Sequence, residues 1–268
     1  MSRYSYITPI ASGSDYEVLN NDSHAHPTLQ FKVVIVGDSG CGKTSLFSSY
    51  IRGSFPSSYE PTIFENHRTI VENIKTHEIL SADLWDTAGQ EEYERLRRLS
   101  YQDSNVVIIA YSVDAPESLL NIHEVWAPEV MTYAPHASIL LVGLKSDIPN
   151  PQVNPANAYN VAQSIGAVAH LTCSSIQMFN VNELFDSVFN TAYNKETMKK
   201  HHESLSNINK NDAYISNNNN ITSSSKKNNN INNKNNSSNS NEQSKSKSSD
   251  KPSKRFSKKG KSSKCTIL

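Results

Sequence analysis

Apolar and polar residues alternate along residues 30–194 in a pattern that predicts strands and helices in turn. Continuous apolar runs, as at 106–110 and 139–142, are typical of parallel strands buried on both faces. The predicted strands are 31–37, 67–73, 78–85, 105–111, 138–143 and 168–172, and the predicted helices are 43–52, 92–99, 117–132, 155–165 and 180–194. We therefore predict an α/β fold with a six-stranded, mostly parallel sheet flanked by about five helices.

The composition changes on both sides of this region. Residues 1–29 lack the periodicity of a strand or helix, and we predict a flexible N-terminal extension. Residues 195–264 are rich in Asn, Ser and Lys, with too few apolar residues to offset the entropy of the chain, so we predict a disordered tail. One domain, 30–194, remains, and it is long enough to bury a packed core.

The formal net charge of zero is the sum of an acidic body and a basic tail. Residues 1–194 carry 10 Lys and Arg against 21 Asp and Glu, whereas residues 195–268 carry 16 against 5. Such a tail is expected to meet an anionic surface. The three widely spaced cysteines do not suggest disulfides or a metal site, which fits a reducing compartment. We expect neither a transmembrane helix nor a secretory signal.

Residues 37–44, GDSGCGKT, match the phosphate-binding loop pattern between a predicted strand and a predicted helix, which is the context that the motif requires. The fold prediction is therefore a P-loop NTPase. Lys43 is expected to reach the β- and γ-phosphates, and the Thr44 hydroxyl to ligate Mg²⁺. The predicted phosphate-binding residues are Gly37, Asp38, Ser39, Gly40, Cys41, Gly42, Lys43, Thr44 and Ser45.

A second motif, WDTAGQE at 85–91, follows a predicted strand. Asp86 stands where a carboxylate would hold Mg²⁺, and Gln90 could orient an attacking water. Gly89 could bring a backbone N–H to the γ-phosphate without a side chain in the way. Thr62, in a loop between the first helix and the second strand, could add a second hydroxyl to Mg²⁺. An isolated D-x-x-G is often a surface turn, but its position after a phosphate loop favours the functional interpretation.

Two further motifs lie at the ends of later strands. The Asp147 carboxylate in GLKSD, 143–147, could accept both N1–H and the 2-amino group of guanine, and the stem of Lys145 could cover a ring face. Backbone N–H groups at Ser174 and Ser175 could bind guanine O6. Phe55 could stack edge-on against the base, with an ordinary core aromatic as the less favoured alternative.

Together these motifs make residues 30–194 resemble a Ras-superfamily small GTPase. Residues 59–66 (YEPTIFEN), 85–119 and 162–175 resemble the Rho family. The resemblance implies a switch that binds GTP or GDP with Mg²⁺, hydrolyses GTP slowly with Gln90 and Lys43 as catalytic residues, and acts as a monomer. It also implies exchange factors, GTPase-activating proteins, effectors acting on the actin cytoskeleton, Tyr59 at the nucleotide, and an effector loop of Tyr59, Glu60, Pro61, Thr62, Ile63, Phe64, Glu65 and Asn66.

The C-terminal residues 265–268, CTIL, form a C-a-a-X box, and the final Leu favours a geranylgeranyl group on Cys265. The seven basic residues of 251–264 supply the second signal that one lipid chain needs for stable anchoring to an anionic inner leaflet. A nuclear-localisation or nucleic-acid role of this patch is the less favoured alternative, and we expect no nucleic-acid partner. The resemblance implies removal of the last three residues, methylation, and a location on the cytoplasmic face of the plasma membrane or an endomembrane, with a cytosolic fraction.

The sequence departs from the Rho pattern at several positions. Ser39 replaces a usual glycine and could slow hydrolysis by crowding Gln90, so a GTP-holding scaffold with little hydrolysis is the alternative function. Leu144 replaces a usual Asn or Thr, and we expect faster nucleotide exchange. Ser175 replaces a usual Ala, a small change because the backbone does the binding. The stretch from Asp147 to Ser174 lacks the Rho insert helix, which leaves binding of dissociation inhibitors open. A metabolic kinase is disfavoured by DTAGQE and by Lys145 and Asp147.

Overall fold

The computed structural model describes residues 14–19, 26–58 and 61–201. Its strands are β1 Tyr16–Leu19, β2 Leu29–Gly37, β3 Phe64–Asn73, β4 Ile79–Thr87, β5 Val106–Ser112, β6 Ser138–Leu144 and β7 Ala169–Thr172. Its helices are α1 Lys43–Arg52, α2 Glu94–Ser100, α3 Pro116–Asn121, α4 Ala127–Tyr133, α5 Pro155–Ser164 and α6, 181–201, within the described residues. A 3₁₀ turn, Glu91–Tyr93, precedes α2, and a π turn, Ile122–Trp126, joins α3 to α4.

The strands form one sheet in the order β1-β3-β4-β2-β5-β6-β7. β2 runs parallel to β4 and β5, and β5, β6 and β7 continue in parallel, while β3 is antiparallel to both β4 and β1. The carboxyl ends of β2, β4, β5, β6 and β7 therefore meet at one edge of the sheet. In open α/β sheets this is the edge at which ligands bind.

Apolar side chains on the two faces of the sheet belong to two separate cores. On β2, Val33 and Ile35 face a core with Leu46 of α1 and Phe185 of α6. Val34 and Val36 face the opposite core, formed with α3, α4 and α5. Successive side chains of a strand point to opposite faces. The continuous apolar run of β2 thus arises because both faces are covered by helices.

The α/β prediction with a mostly parallel sheet is confirmed, and each predicted strand and helix has a counterpart. The prediction of six strands was wrong, because β1 adds a seventh at the sheet edge. This strand lies within 1–29, so the prediction of a flexible extension was also wrong for residues 16–19. Its part for 1–13 and 20–25 lies outside the described residues.

Two kinds of contact hold β1 in place: its pairing with β3 and its side-chain contacts with α6. Tyr16 is 4% exposed, packs edge-on against Phe189 with ring centroids 5.3 Å apart, and donates its hydroxyl to Asn190 at 2.9 Å. Asp186 accepts hydrogen bonds from the Ser14 hydroxyl at 2.6 Å and the Asp15 N–H at 2.9 Å. Burial raises the pKa of Asp186, while these two donors oppose the rise. The segment before the domain is thereby part of its core.

Removal of the Tyr16 hydroxyl tests this anchoring. We expect Tyr16→Phe to lower the free energy of unfolding by about 1 kcal/mol, since one buried hydrogen bond is lost and the ring packing is kept. Chemical denaturation of the full chain measures the change. Wild-type stability in this variant would show that the hydroxyl does not contribute to the anchor.

The tail prediction needs one correction, because residues 195–201 continue α6. Glu196 accepts a hydrogen bond from Asn105 at 2.8 Å, and Lys195 donates to the carbonyl of His136. These two hydrogen bonds attach residues 195 and 196 to the domain, which the composition of the segment does not reveal. The rest of the predicted tail, 202–264, and the box 265–268 lie outside the described residues. Among the helices that the structure describes, none has the length and apolar character needed to cross a membrane.

Candidate functional site

The phosphate-binding motif forms the loop between β2 and α1, as its context predicts. Gly37 ends β2 with φ 144°, and a Cβ there would lie 2.2 Å from the carbonyl oxygen of Ala110 on the adjacent strand. Only glycine therefore lets the chain turn so close to β5. α1 begins at Lys43, so the free N–H groups of its first turn lie at the loop. A helix N-terminus of this kind favours a bound phosphate.

Lys43 folds back across the loop. Its ammonium donates to the carbonyls of Gly37 at 2.8 Å and Asp38 at 2.9 Å, and the residue is 6% exposed. An ammonium has three donors, so one remains after these two contacts. The charge is thus held at the loop with a donor left over for an anionic ligand.

Three oxygen-bearing side chains converge beside the loop. The hydroxyls of Thr44 and Thr62 lie 2.7 Å apart. Asp86 is 1% exposed, and its Oδ1 lacks a hydrogen-bond partner among the described residues. Burial raises the pKa of Asp86, while the Thr44 hydroxyl and the Lys43 charge oppose the rise. Mg²⁺ prefers oxygen ligands, and a cation would compensate an otherwise costly buried carboxylate, so this set fits the predicted metal.

Gly89 packs directly against the phosphate loop. A Cβ on Gly89 would lie 2.3 Å from the backbone nitrogen of Ser39 and 2.5 Å from the carbonyl carbon of Asp38. The absence of a side chain therefore permits a backbone-to-backbone contact between the two segments. Gln90 follows it and is exposed toward the site, and Ser39 is exposed as well. The sequence predicted that Gly89 would approach the γ-phosphate, and that approach stays a prediction; the contact that the structure shows is with the phosphate loop itself.

The residues predicted to bind the base form the second half of the site, and a polar contact joins the loops after β6 and β7 there. Asp147 accepts a hydrogen bond from the Ser174 hydroxyl at 2.7 Å. Lys145 adopts a left-handed conformation with φ 62°, and its ammonium lies 3.6 Å from the Asp114 carboxylate. Ser174 is fully buried, and Ser175 is 7% exposed. The residues predicted to bind the base thus lie close together on the loops after β6 and β7.

A cavity of about 610 Å³ connects the two halves. Its walls include Lys43, Thr62, Gln90, Asp147 and Ser175. Phe55 also lies on the wall and is 46% exposed, so it is a rim residue rather than a core aromatic. This volume is in the range of small-molecule sites.

The structure adds detail at the remaining predicted positions. The carboxylate of Asp38 is occupied by hydrogen bonds from Asn121 and Trp126, which leaves its backbone for the phosphate loop. Cys41 is a free thiol that is 3% exposed, and burial raises its pKa. Of the effector loop, Pro61, Ile63, Glu65 and Asn66 are exposed. Tyr59, Glu60 and Cys265 lie outside the described residues.

Leu144 makes an apolar contact at a position where the Rho pattern usually has a polar residue. It is 1% exposed, lines the cavity, and lies beside Gly42, where an added Cβ would be 3.7 Å from Leu144 Cδ1.

We expect Leu144→Asn to slow GDP release about fivefold, since an amide here can hydrogen-bond the loop backbone and one such bond contributes about 1 kcal/mol. Release of a fluorescent GDP analogue measures this. Leu144→Ala, which loses the contact without adding an amide, should not slow release. Equal rates for Asn and Leu at 144 would rule the explanation out.

Sequence reasoning missed a buried network behind Gln90. Arg97 forms a two-point ion pair with Glu129, at 2.7 and 3.0 Å, and donates to the carbonyls of Ala88 and Gln90 at 2.9 and 3.2 Å. The Tyr101 hydroxyl also donates to Glu129, at 2.8 Å. Burial raises the pKa of Tyr101, so the hydroxyl stays protonated as a donor. Arg97 and Glu129 are 32 positions apart, and no local pattern marks them as partners.

Comparison with known proteins identifies the family to which a chain with this fold and cavity belongs. Residues 32–194 match the Ras family, and because this is more than half of the chain, the protein is a member of that family. GTP-binding protein RHO4 of Eremothecium gossypii is 46% identical over 184 residues, which cover 67% of this chain and 69% of the relative.

Two further relatives have similar identity. GTP-binding protein rho5 of Schizosaccharomyces pombe is 44% identical over 65% of this chain and 96% of its own length. GTP-binding protein RHO4 of Saccharomyces cerevisiae is 44% identical over 62% of this chain and 58% of its own length. Within the Ras superfamily the chain therefore belongs to the Rho-family small GTPases. It binds GTP and GDP, hydrolyses GTP, and acts as a switch in Rho signalling with exchange factors, activating proteins and effectors as partner classes.

Proposed function

We propose that this GTPase works as a membrane-tethered, monomeric switch whose GTP-bound form signals to the actin cytoskeleton. The observation that carries the catalytic part is the backbone contact between Gly89 and the phosphate loop, which sets Gln90 beside Ser39 at the cavity. We assign nucleotide phosphates to the phosphate loop and guanine to Asp147, Lys145 and the backbone at Ser174 and Ser175. Loops carrying Thr62 and Gly89 would order when the γ-phosphate is present.

Catalysis is assigned to Gln90 and Lys43. The Gln90 amide can accept from and donate to one water molecule, and so orients it toward the γ-phosphate. The Lys43 ammonium, held by two carbonyls, stabilises charge on the phosphate oxygens. Thr44, Thr62 and Asp86 would hold Mg²⁺, which would supply positive charge against the phosphate oxygens. Among the described residues, the arginine that lines the cavity is Arg52, at the opposite end of α1 from Lys43, and we expect slow turnover without an activating protein.

Single-turnover hydrolysis of GTP by the full chain, with and without a Rho-type activating protein, tests this assignment. We expect slow basal hydrolysis and strong acceleration by the activator, as in Ras, the reference example of an increase on the order of 10⁵-fold. A protein that retains GTP and hydrolyses none of it under either condition would instead be the GTP-holding scaffold.

Ser39 is the residue that favours that second function, because it is exposed, its backbone meets Gly89, and its side chain could crowd Gln90 or an incoming activator. Ser39→Gly separates the two functions. Recovery of hydrolysis in the variant alone would identify Ser39 as the block. Identical rates with serine and glycine, both stimulated by the activator, would remove the support for the scaffold.

Membrane attachment is proposed from the C-terminal sequence. A geranylgeranyl group on Cys265 and the basic residues of 251–264 would together hold the protein on the cytoplasmic face of the plasma membrane or an endomembrane, with a cytosolic fraction.

Cys265→Ser should move an N-terminally tagged protein from the membrane fraction to the soluble fraction. Neutral substitutions of the lysines in 251–264 should weaken attachment without abolishing lipid addition. Unchanged fractionation of Cys265→Ser would refute the lipid anchor.

A further inference from the structure

A segment formed by the last residue of α3 and the π turn that follows it supplies two donors that hold the side chain of Asp38 in the phosphate loop. Trp126 Nε1 donates to Oδ1 at 2.7 Å, and Asn121 Nδ2 donates to Oδ2 at 2.8 Å. Hydrogen bonds to an ionised carboxylate are about twice as strong as neutral ones. The orientation of Asp38, and with it the first turn of the loop, is therefore set by this segment.

The π turn Ile122–Trp126 makes this double contact possible. Asn121 and Trp126 are five residues apart, which is about 1.4 turns of a regular α-helix and would point their side chains in widely different directions. The turn closes a hydrogen bond between residues five apart, from Ala127 N–H to the Ile122 carbonyl, and so widens the helix locally. Both donors then reach the same carboxylate.

Trp126 is also linked, through Arg97, to the segment that carries Gln90. The guanidinium of Arg97 lies over its ring, 4.8 Å from the centroid, and Arg97 holds the carbonyls of Ala88 and Gln90. Trp126 and Arg97 are each 3% exposed. A cation held over an indole face away from water is attracted to it. One side chain thus supports the phosphate loop through its N–H and the Gln90 segment through its ring.

These two supported segments are the ones that meet at Gly89 and Ser39, where their backbones are in direct contact. We propose that Trp126 is a positioning residue for GTP hydrolysis, which sets the spacing between the phosphate loop and Gln90 by holding Asp38 on one side and Arg97 on the other. This role rests on the assignment of Gln90 and the phosphate loop proposed above. It concerns the chemical step, since a small displacement of a water-orienting group lowers the rate far more than it lowers binding.

Nucleotide retention relies on other contacts. Asp147 is held by Ser174, and the ammonium of Lys43 is held by the backbone carbonyls of Gly37 and Asp38 rather than by the Asp38 carboxylate that Trp126 contacts. A change at the Trp126 indole N–H leaves those hydrogen bonds in place. The expected consequence is a slower hydrolysis step with nucleotide release unchanged, which is a split that a general loss of folding does not produce.

Trp126→Phe in the full chain tests the role, because it keeps an aromatic ring and removes the indole N–H. We expect single-turnover hydrolysis of Mg²⁺·GTP to fall about tenfold or more, while release of a fluorescent GDP analogue stays within about twofold of wild type. If Trp126 acts through Asp38, the same substitution in an Asp38→Ala background should change hydrolysis by less than about twofold. Tyr16→Phe, which loses one buried hydrogen bond outside the site, should alter neither rate.

Three outcomes would overturn the role. Trp126→Phe could hydrolyse GTP at the wild-type rate, it could lose hydrolysis and nucleotide retention together, or it could show the same loss with and without Asp38. A wild-type chain that hydrolyses no GTP even with the activator would overturn the proposed catalytic assignment together with this role. Hydrolysis by wild type and by the variant at equal rates would overturn the role of Trp126 alone.

Discussion

Gly89→Ala should lower GTP hydrolysis by about 100-fold or more while GDP remains bound. The reason is steric, because the added Cβ would lie 2.3 to 2.5 Å from backbone atoms of residues 37–39. Backbone cannot rotate away as the end of a long side chain can, so the segment carrying Gln90 must move off the phosphate loop. The loop, Lys43 and the base-binding residues stay as they are, and they account for retention of GDP. Single-turnover hydrolysis and GDP release measure the two effects separately.

Gly166→Ala is the matched control for this prediction. Gly166 has φ 68°, so alanine is strained there, yet an added Cβ meets nothing within 4 Å. We expect a loss of about 1 kcal/mol in the free energy of unfolding and wild-type hydrolysis. If Gly89→Ala hydrolyses GTP as fast as Gly166→Ala, the contact between Gly89 and the phosphate loop does not position Gln90.

The parts of the fold that the sequence predicted best are those whose signal is local. β5 and β6 were predicted at 105–111 and 138–143 and are found at Val106–Ser112 and Ser138–Leu144, because a strand buried on both faces is apolar throughout. β1 has four residues and no pattern of its own. Its Tyr16 pairs with Asn73 of β3 and donates to Asn190 of α6, 174 positions later, so the strand could not be predicted from its neighbours in sequence.

The residues of the site fall into the same two groups, those with a local sequence signal and those without one. The phosphate loop, the segment at Gly89 and the loop at Asp147 are contiguous motifs, and the sheet brings them together because each follows a parallel strand. The support behind them is not contiguous, since Trp126 reaches Asp38 from 88 positions away. A buried arginine or glutamate also has the composition of a surface residue until its partner is known. Motif reasoning therefore predicted which residues surround the cavity and missed what holds them in place.

Arg97→Met is expected to have the largest effect on stability, a loss of about 3–5 kcal/mol in the free energy of unfolding. The substitution leaves Glu129, 8% exposed, with the Tyr101 hydroxyl but without its cation, and an uncompensated buried charge is costly. Thermal unfolding should show a decrease in Tm on the order of 10 °C. Arg68→Met is the control, since Arg68 pairs with Asp83 at 2.7 Å but its side chain is 64% exposed, and exposed pairs contribute less than about 1 kcal/mol.

The double variant Arg97→Met with Glu129→Leu separates stability from function. Replacing both buried charges with apolar groups should recover much of the lost stability, because the desolvation cost disappears together with the pair. Hydrolysis should be below the wild-type rate in both the single and the double variant, because the carbonyls of Ala88 and Gln90 lack the donor that Arg97 supplied. A double variant that regains stability and hydrolysis together would show that Arg97 serves only to stabilise the fold. One that regains stability alone would show that the ion pair is the means by which the fold holds Gln90 at the phosphate loop.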